Sequence, residues 1–526
     1  MTKKIVLWIV ALLCILTVVL WCLAPTEERA GKQVLDVKTV TGPDTSLSVS
    51  WEVNVITDSA ARDGRIRLFA SDKSLTEVFR WAKATALKYV GDSNDLVGPW
   101  YEAALPGRES FCMRDFSHQC IGAEILGLGI QNRNMAGRFA ENISEAKDWC
   151  SYWEINRYNQ PAPADYTNNS AFWYNLPANF DLVRACDRLY RWTGNRDYVR
   201  DTVFTRFFER SMNDYVVRWQ LQPDSIMFRP EFMNLPEHFD RKNTHYTCRG
   251  LPTYVEGVPG LVAGADLIAS LYSGCTAYAG MLQRDGQLRK AYRYTAKAEK
   301  YRQLLDSLWW DRKKQAYATL YTRKGKYLFG EGAPFLLWNG IIGQPERIRK
   351  TIESILAREW NVENRSYLPE ILFRYGYNRE AYDEMLSLAS PDTERRGYPE
   401  VSYSIVEAIV CGLMGVEGNA PENEVVTCPH LPGESAWVQV QNIPVAGRKI
   451  DVLHRGNTST VLTNHGAGPL TWRTCFSGMR PLIYIDGNPV MSNLSKDALG
   501  NKVSSVTVQV EGNTIMRASL EGPEKK

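Results

Sequence analysis

The sequence predicts a mainly α protein: one large domain of paired helices, preceded by short strands and closed by a small antiparallel β-domain. Three observations predict it. Helical periodicity opens at Ser74 and dominates to about Gly415. Before it, Leu47-Ser-Val49-Ser-Trp51-Glu-Val53-Asn-Val55 alternates apolar and polar residues, as a half-buried strand does. From Glu424 onward short alternating runs return, separated by Gly-containing turns such as Asp486-Gly487-Asn488.

In chain order, the first element is a leader. Lys3 and Lys4 precede an apolar run from Ile5 to Ala24, ended by Pro25, Glu27, Glu28 and Arg29. The run is long enough to span a bilayer, and the lysines place the N-terminus inside. Residues 1–30 are therefore expected to be a signal peptide or membrane anchor, and the remainder exported, periplasmic or anchored facing outward. Ala24 and Ala30 are candidate cleavage points. Cys22 follows Trp21 where a lipoprotein cysteine needs a small residue, which argues against lipidation. Residues 31–72 form the N-terminal strand region, 73–418 the helical domain and 419–526 the β-domain.

Within the helical domain, Ser74-Leu-Thr-Glu77 reads as a capping box. Helices are expected over 74–90, 115–132, 134–150, 177–193, 197–219, 262–284 and 287–310, and near 334–343, 345–357, 378–390 and 402–415. That makes eleven, one short of six pairs. Long connections at 94–114, 151–176, 223–261 and 358–377 are rich in Trp, Tyr, Arg and Glu, a composition that favours function over disorder. The strands expected beyond them are Ala436–Val440, Lys449–Leu453, Ser459–Leu462, Leu482–Ile485 and Val503–Val510.

Composition narrows the chemistry. The 526 residues carry a net charge of +3 with no basic block, which argues against nucleic acid or an anionic membrane surface as partner. The 16 Trp and 26 Tyr fill a large core, and they also suit sugars, whose apolar ring faces stack on aromatic rings. Eleven cysteines are scattered, with neither a C-x-x-C nor a Cys/His cluster, so no metal is expected, and no organic cofactor either. They read as small buried hydrophobes, with one or two disulfides open to them outside the cytoplasm.

The strongest local signal is Trp100-Tyr-Glu-Ala-Ala-Leu-Pro-Gly-Arg108-Glu-Ser-Phe-Cys-Met-Arg114-Asp115, a loop entering a helix. A carboxylate at a helix N-terminus is favourable in itself, so Asp115 has a purely structural reading. The functional reading is that Arg114 and Asp115 grip sugar hydroxyls, the carboxylate accepting and the guanidinium donating in a fork. Trp149-Cys-Ser-Tyr-Trp153-Glu154-Ile-Asn-Arg157, Trp173 and Tyr174 could line the same cleft or pack a loop.

A loop ending in Gly-Arg-x-x-x-x-x-Arg-Asp before the second helix resembles the start of the six-hairpin glycosidase superfamily, which includes glucoamylases, trehalases, rhamnosidases and disaccharide phosphorylases. The resemblance continues through Gly250-Leu-Pro-Thr-Tyr-Val-Glu256-Gly before the helix that begins near Val262, and through Gly415-Val-Glu-Gly and Cys428-Pro-His-Leu-Pro-Gly433 before the strands. It covers about residues 45–490. It implies an (α/α)6 barrel of twelve helices in two rings. It implies Glu256 as general acid, on the loop before the sixth helix, and Glu400, in Arg396-Gly-Tyr-Pro-Glu400, as base. Each Glu also reads as an ordinary carboxylate, Glu256 on a solvated loop and Glu400 at a helix start; Glu370 and Glu331 are rivals. The Phe-Cys-Met-Arg-Asp and Tyr-Trp-Glu-Ile-Asn-Arg phrases look most like bacterial exo-β-glucuronidases. That implies a glycan partner ending in a uronic acid, its carboxylate met by Arg108, Arg114 or Arg157, with Trp153 and Glu154 lining the site.

Two other readings stay open. Asn243-Thr-His245-Tyr246 offers the residue types with which toroid-type polysaccharide lyases neutralise a uronate and abstract its C5 proton. A non-catalytic glycan-binding protein is the third.

Overall fold

The structure is a computed structural model and describes residues 65–229, 249–255, 258 and 260–522. The leader, the strand expected at Leu47–Val55, Glu256 and the Asn243–Tyr246 segment lie outside the described residues. The described residues fold as one compact unit.

Twelve helices of more than one turn organise the described residues: α1 (Lys73–Lys88), α2 (Met113–Ile125), α3 (Gly129–Glu141), α4 (Ala178–Thr193), α5 (Thr202–Glu209), α6 (Ala265–Arg284), α7 (Leu288–Leu308), α8 (Ala333–Trp338), α9 (Pro345–Leu356), α10 (Leu368–Arg374), α11 (Asn378–Leu388) and α12 (Pro399–Glu407). They alternate between two environments. Every residue of α12 is buried, as are most of α2, α4 and α6. By contrast, α1 buries only Leu75, Phe79, Ala82 and Ala86, and α9 only Ile348, Thr351, Ile352 and Ile355. A helix apolar all round belongs inside, and one with a single apolar stripe belongs on the rim. The packing follows: α2 lies on α4, α4 on α6, α6 on α8, α8 on α10, α10 on α12, and α12 returns to α2. Five odd-numbered helices cover this inner set, with α1 against α12, α3 against α2, α7 against α6, α9 against α8 and α11 against α10, while α5 packs on α3.

Glycines let the inner helices approach. A Cβ at Gly122 of α2 would sit 2.1 Å from the Tyr403 backbone oxygen of α12. One at Gly274 of α6 would meet Phe180 of α4 at 2.9 Å, and one at Gly412, in the π-helical continuation of α12, would meet Phe373 of α10 at 2.6 Å.

Several boundaries differ from expectation. The first helix is capped by Asp72, whose Oδ1 accepts from Ser74 N at 2.8 Å; Ser74 is already helical, so it cannot open a capping box. The second ends at Ile125 because Gly127 turns left-handed (φ +86°). Val262–Gly264 is strand, and α6 starts at Ala265. The twelfth helix, α10, lies inside what reads as a loop; it is short, with Pro369 in its first turn. The eight described cysteines are free thiols, six of them buried.

The strand Arg67–Ala70 pairs antiparallel with Trp437–Val445, which continues through Arg448–Arg455, Ser459–Asn464, Thr514–Ser519, Leu482–Ile485 and Asn488–Met491 into a seven-stranded sheet. A second sheet of five strands contains one parallel pair, Glu424–Thr427 with Leu470–Ser477, where only antiparallel pairing was expected. The strands meet the C-terminal ends of the inner helices: Trp192 Nε1 donates to Pro444 O at 2.6 Å, and His454 Nε2 lies 2.9 Å from Met414 O. One continuous apolar core joins helices and sheets.

Candidate active site

Five of the six inner helices carry a carboxylate in their first turn: Asp115 on α2, Asp181 on α4, Asp266 on α6, Glu370 on α10 and Glu400 on α12. Helix N-termini favour negative charge, which offsets part of the cost of burying these acids. Among these N-terminal turns lies a cavity of about 10 Å³, room for about one water molecule, walled by Arg114, Ser117, His118, Asp181, Arg184, Phe335, Trp338 and Tyr367; Asp181 is the one of the five acids in its wall.

Arg114 is shared by two acids. Its Nε lies 3.1 Å from Asp115 Oδ1, and its charge also acts on Glu400. Burial pushes the Asp115 carboxyl up to about 7; Arg114 opposes this and the negative Glu400 adds to it. Burial likewise pushes Glu400 up to about 7, against Arg114 and with Glu363. Both therefore exchange protons near neutrality, which a general acid or base requires.

His118 stands one turn into α2. Its Nδ1 lies 2.9 Å from Glu400 Oε1. Its ring stacks on Tyr367 at 3.5 Å, and Trp338 meets it edge-on at 5.3 Å. Burial depresses the imidazole to about 3, so it is neutral, and when Glu400 is ionised an Nδ1–H tautomer donates to it.

On the opposite wall, Asp181 accepts from Tyr254 Oη and, at 2.8 Å, from Ser270 Oγ; burial raises it to about 6, against those hydrogen bonds. Asp266, 1% exposed, accepts from Tyr254 N at 2.6 Å and Thr253 Oγ1 at 2.9 Å. It thereby fixes the chain immediately before Glu256. Arg114 lies over the Tyr254 ring at 5.4 Å, and Trp153 stands 6.3 Å from it.

Of the site residues expected from sequence, the structure brings Arg114, Asp115 and Glu400 together and places Trp153 beside Tyr254. Arg108 is bound elsewhere, to Glu154 at 2.6 Å and Asp165 at 3.4 Å, and Glu154 also accepts from Ser110. Arg157 pairs with Asp95 at 2.8 Å and Glu109 at 2.7 Å. Of the described site residues expected from sequence, Arg114 alone lines the pocket; Asp115, Glu400, Trp153, Arg108, Glu154 and Arg157 do not. Among the rivals, Glu331 is exposed. Burial disfavours charge on Glu370, but Arg374, 2.5 Å away, and Arg188 outweigh it and hold that carboxyl below its usual range. Sequence reasoning missed His118, Asp181, Arg184, Trp338 and Tyr367. The available signal was positional and reached only Asp181: an acid within the first turn of five of the six inner helices.

No family model matches the chain, and no curated protein does. Solved structures do resemble it in fold. An α-L-rhamnosidase from Dictyoglumus thermophilum aligns with a TM-score of 0.56 at 12% identity, over 86% of this chain and 50% of its own. A GH78 family rhamnosidase of Bacillus sp. GL1 aligns at 0.51 and 12% identity, over 76% of this chain and 40% of its own. A sialidase aligns at 0.53 and 10% identity, over 88% and 42% respectively. The chain thus spans half or less of each of these proteins. The likeness is one of fold: a helix-rich chain with antiparallel sheets.

Proposed function

We propose that this chain is an exo-acting glycoside hydrolase on an (α/α)6 toroid, removing a terminal uronic acid, β-glucuronic acid, from complex glycans. One observation carries the reading. Asp115 and Glu400 flank one arginine beside a small aromatic pocket, and both titrate near 7. The fold neighbours, rhamnosidases and a sialidase by name, support a glycosidase.

In this proposal Glu256 protonates the glycosidic oxygen as the C1–O bond breaks. Glu400 takes a proton from the water that adds to C1. His118, donating to Glu400 Oε1, aims the second carboxylate oxygen; Arg114 and Asp115 hold the ring hydroxyls. Inversion needs the two carboxyls about 6.5–9.5 Å apart, leaving room for water, whereas a covalent intermediate needs about 5–5.5 Å. The division into leader (1–30), strand region (31–72), toroid (73–418) and β-domain (419–526), and export through that leader, belong to the same proposal and rest on the sequence.

An aryl-glycoside panel tests it. Cleavage of the glucuronide supports the reading; cleavage of neutral glycosides alone overturns the uronate assignment. Release of a 4,5-unsaturated product absorbing in the ultraviolet would instead favour the lyase reading, whose Asn243, His245 and Tyr246 lie outside the described residues. Glycan binding with no turnover would favour the non-catalytic reading.

A further inference from the structure

Arg184 lies on α4 one turn beyond Asp181, in the wall of the pocket. Its guanidinium sits over the Trp338 ring at 4.5 Å and donates to Trp338 O at 3.0 Å. Among the described residues, no carboxylate lies within ion-pair distance of it. This sets it apart from every other arginine considered for the site. Arg108 and Arg157 are engaged in ion pairs away from the pocket, and Arg114 is bound to Asp115.

The surroundings sharpen the contrast. Arg188 and Arg374 approach the same indole at 5.2 and 5.4 Å, but each has its own acid, Glu407 and Glu370. The two acids acting on Arg184 through space are Glu370 and Asp181. Glu370 is tied to Arg374, and Asp181 accepts from Tyr254 and Ser270. Three guanidiniums thus surround one ring with two dedicated carboxylates. Burial, followed by repulsion from Arg188 and Arg374, lowers the Arg184 basicity to about 9, which marks the charge as poorly compensated. A buried cation without a paired anion is costly unless a ligand supplies the anion. Arg184 has donors to spare, in the planar fork that matches a carboxylate.

We infer that Arg184 is the specificity residue of the pocket, receiving the carboxylate that a uronic acid carries where a neutral hexose has a CH2OH group. The inference rests on the pocket being the sugar site of the proposed hydrolase, and names the group that selects its substrate.

Isothermal titration of the full chain with D-glucuronate, D-glucuronamide and D-glucose tests it. Wild type should bind glucuronate roughly 10–100-fold more tightly than either neutral sugar, the range expected for a charge-assisted fork. In Arg184→Gln that preference should vanish while glucose binding persists, which also shows the variant to be folded. Arg184→Lys keeps the charge without the fork and should fall between. Undiminished glucuronate preference in Arg184→Gln would overturn the inference; should that variant bind neither sugar, glucuronate affinity in Arg184→Lys equal to wild type would overturn it. Equal binding of glucuronate and glucose by wild type would overturn it together with the uronate reading. Selective glucuronate binding lost in Arg184→Gln, in a protein that cleaves no glycoside, would overturn the hydrolase reading and leave this carboxylate site standing.

Discussion

His118 Nδ1 and Glu400 Oε1 lie 2.9 Å apart, the imidazole 3% exposed and stacked face to face on Tyr367. A neutral, immobilised imidazole can donate one hydrogen bond in one direction. It therefore orients the ionised Glu400 carboxylate without neutralising it, and Ser366 adds a second side-chain hydrogen bond to the same carboxyl.

Burying Glu400 has a thermodynamic signature. Its folded pKa of about 7 lies above the usual 4.5, so between these values the folded state holds the extra proton. Stability from this group accordingly falls as pH rises from about 4.5 to 7 and stays low above. Glu400→Gln should therefore be more stable than wild type at pH 8, by roughly 1–3 kcal/mol, and should lose that advantage at pH 4. Thermal melts at both pH values check it; equal differences at pH 4 and pH 8 would contradict the raised carboxyl.

Glu363 offers a test that leaves the pocket untouched. It lies outside the pocket walls, pairs with Arg395 at 3.0 Å, and its negative charge helps raise Glu400. If Glu400 must be ionised to act as base, activity falls as pH drops through about 7. Glu363→Gln removes a repelling charge, so the acidic limb of the kcat/KM profile should move to lower pH, by up to about one unit. An unmoved limb would separate Glu400 from the rate-determining ionisation.

Gly122 links packing to the site. It lies one turn beyond His118 on α2, and Tyr403, which it faces, lies one turn beyond Glu400 on α12. A Cβ 2.1 Å from a backbone oxygen must push the helices apart. Gly122→Ala should destabilise the fold by about 1–3 kcal/mol and lower kcat by loosening the His118–Glu400 contact. Denaturant unfolding alongside turnover checks it; wild-type stability and rate would show that the helices part at no cost.

Much of this was legible in the sequence, for reasons that can be named. Long inner helices such as α4 and α6 declare themselves by periodicity and by turn signals, Thr193-Gly194-Asn195 and Arg284-Asp285-Gly286. Helix α10 did not: seven residues opening on Leu368-Pro369, with Leu368, Ile371, Leu372 and Phe373 all buried, look the same as a loop in one dimension. Arg114, Asp115 and Glu400 could be picked out because each sits where a connection enters a helix. Arg108, Glu154 and Arg157 have the same residue types in the same aromatic loops. The Arg108–Glu154 ion pair depends on Ser110–Cys112 pairing with Glu154–Asn156, a register that local composition does not encode, and Arg157 pairs instead with Asp95 and Glu109. Arg184 and His118 were invisible for the complementary reason: inside helices predicted for packing, only the ring closure turns those faces toward one pocket.

The proposed role of Glu400 as base of a glycosidase acting on an acidic sugar is tested by hydrolysis of an aryl β-glucuronide by wild type and by Glu400→Gln, each confirmed folded. Wild type should release glucuronate steadily, and the variant should fall roughly 10²–10⁴-fold in kcat with KM little changed. Turnover undiminished by Glu400→Gln, or a wild-type enzyme that leaves the glucuronide intact, would contradict it.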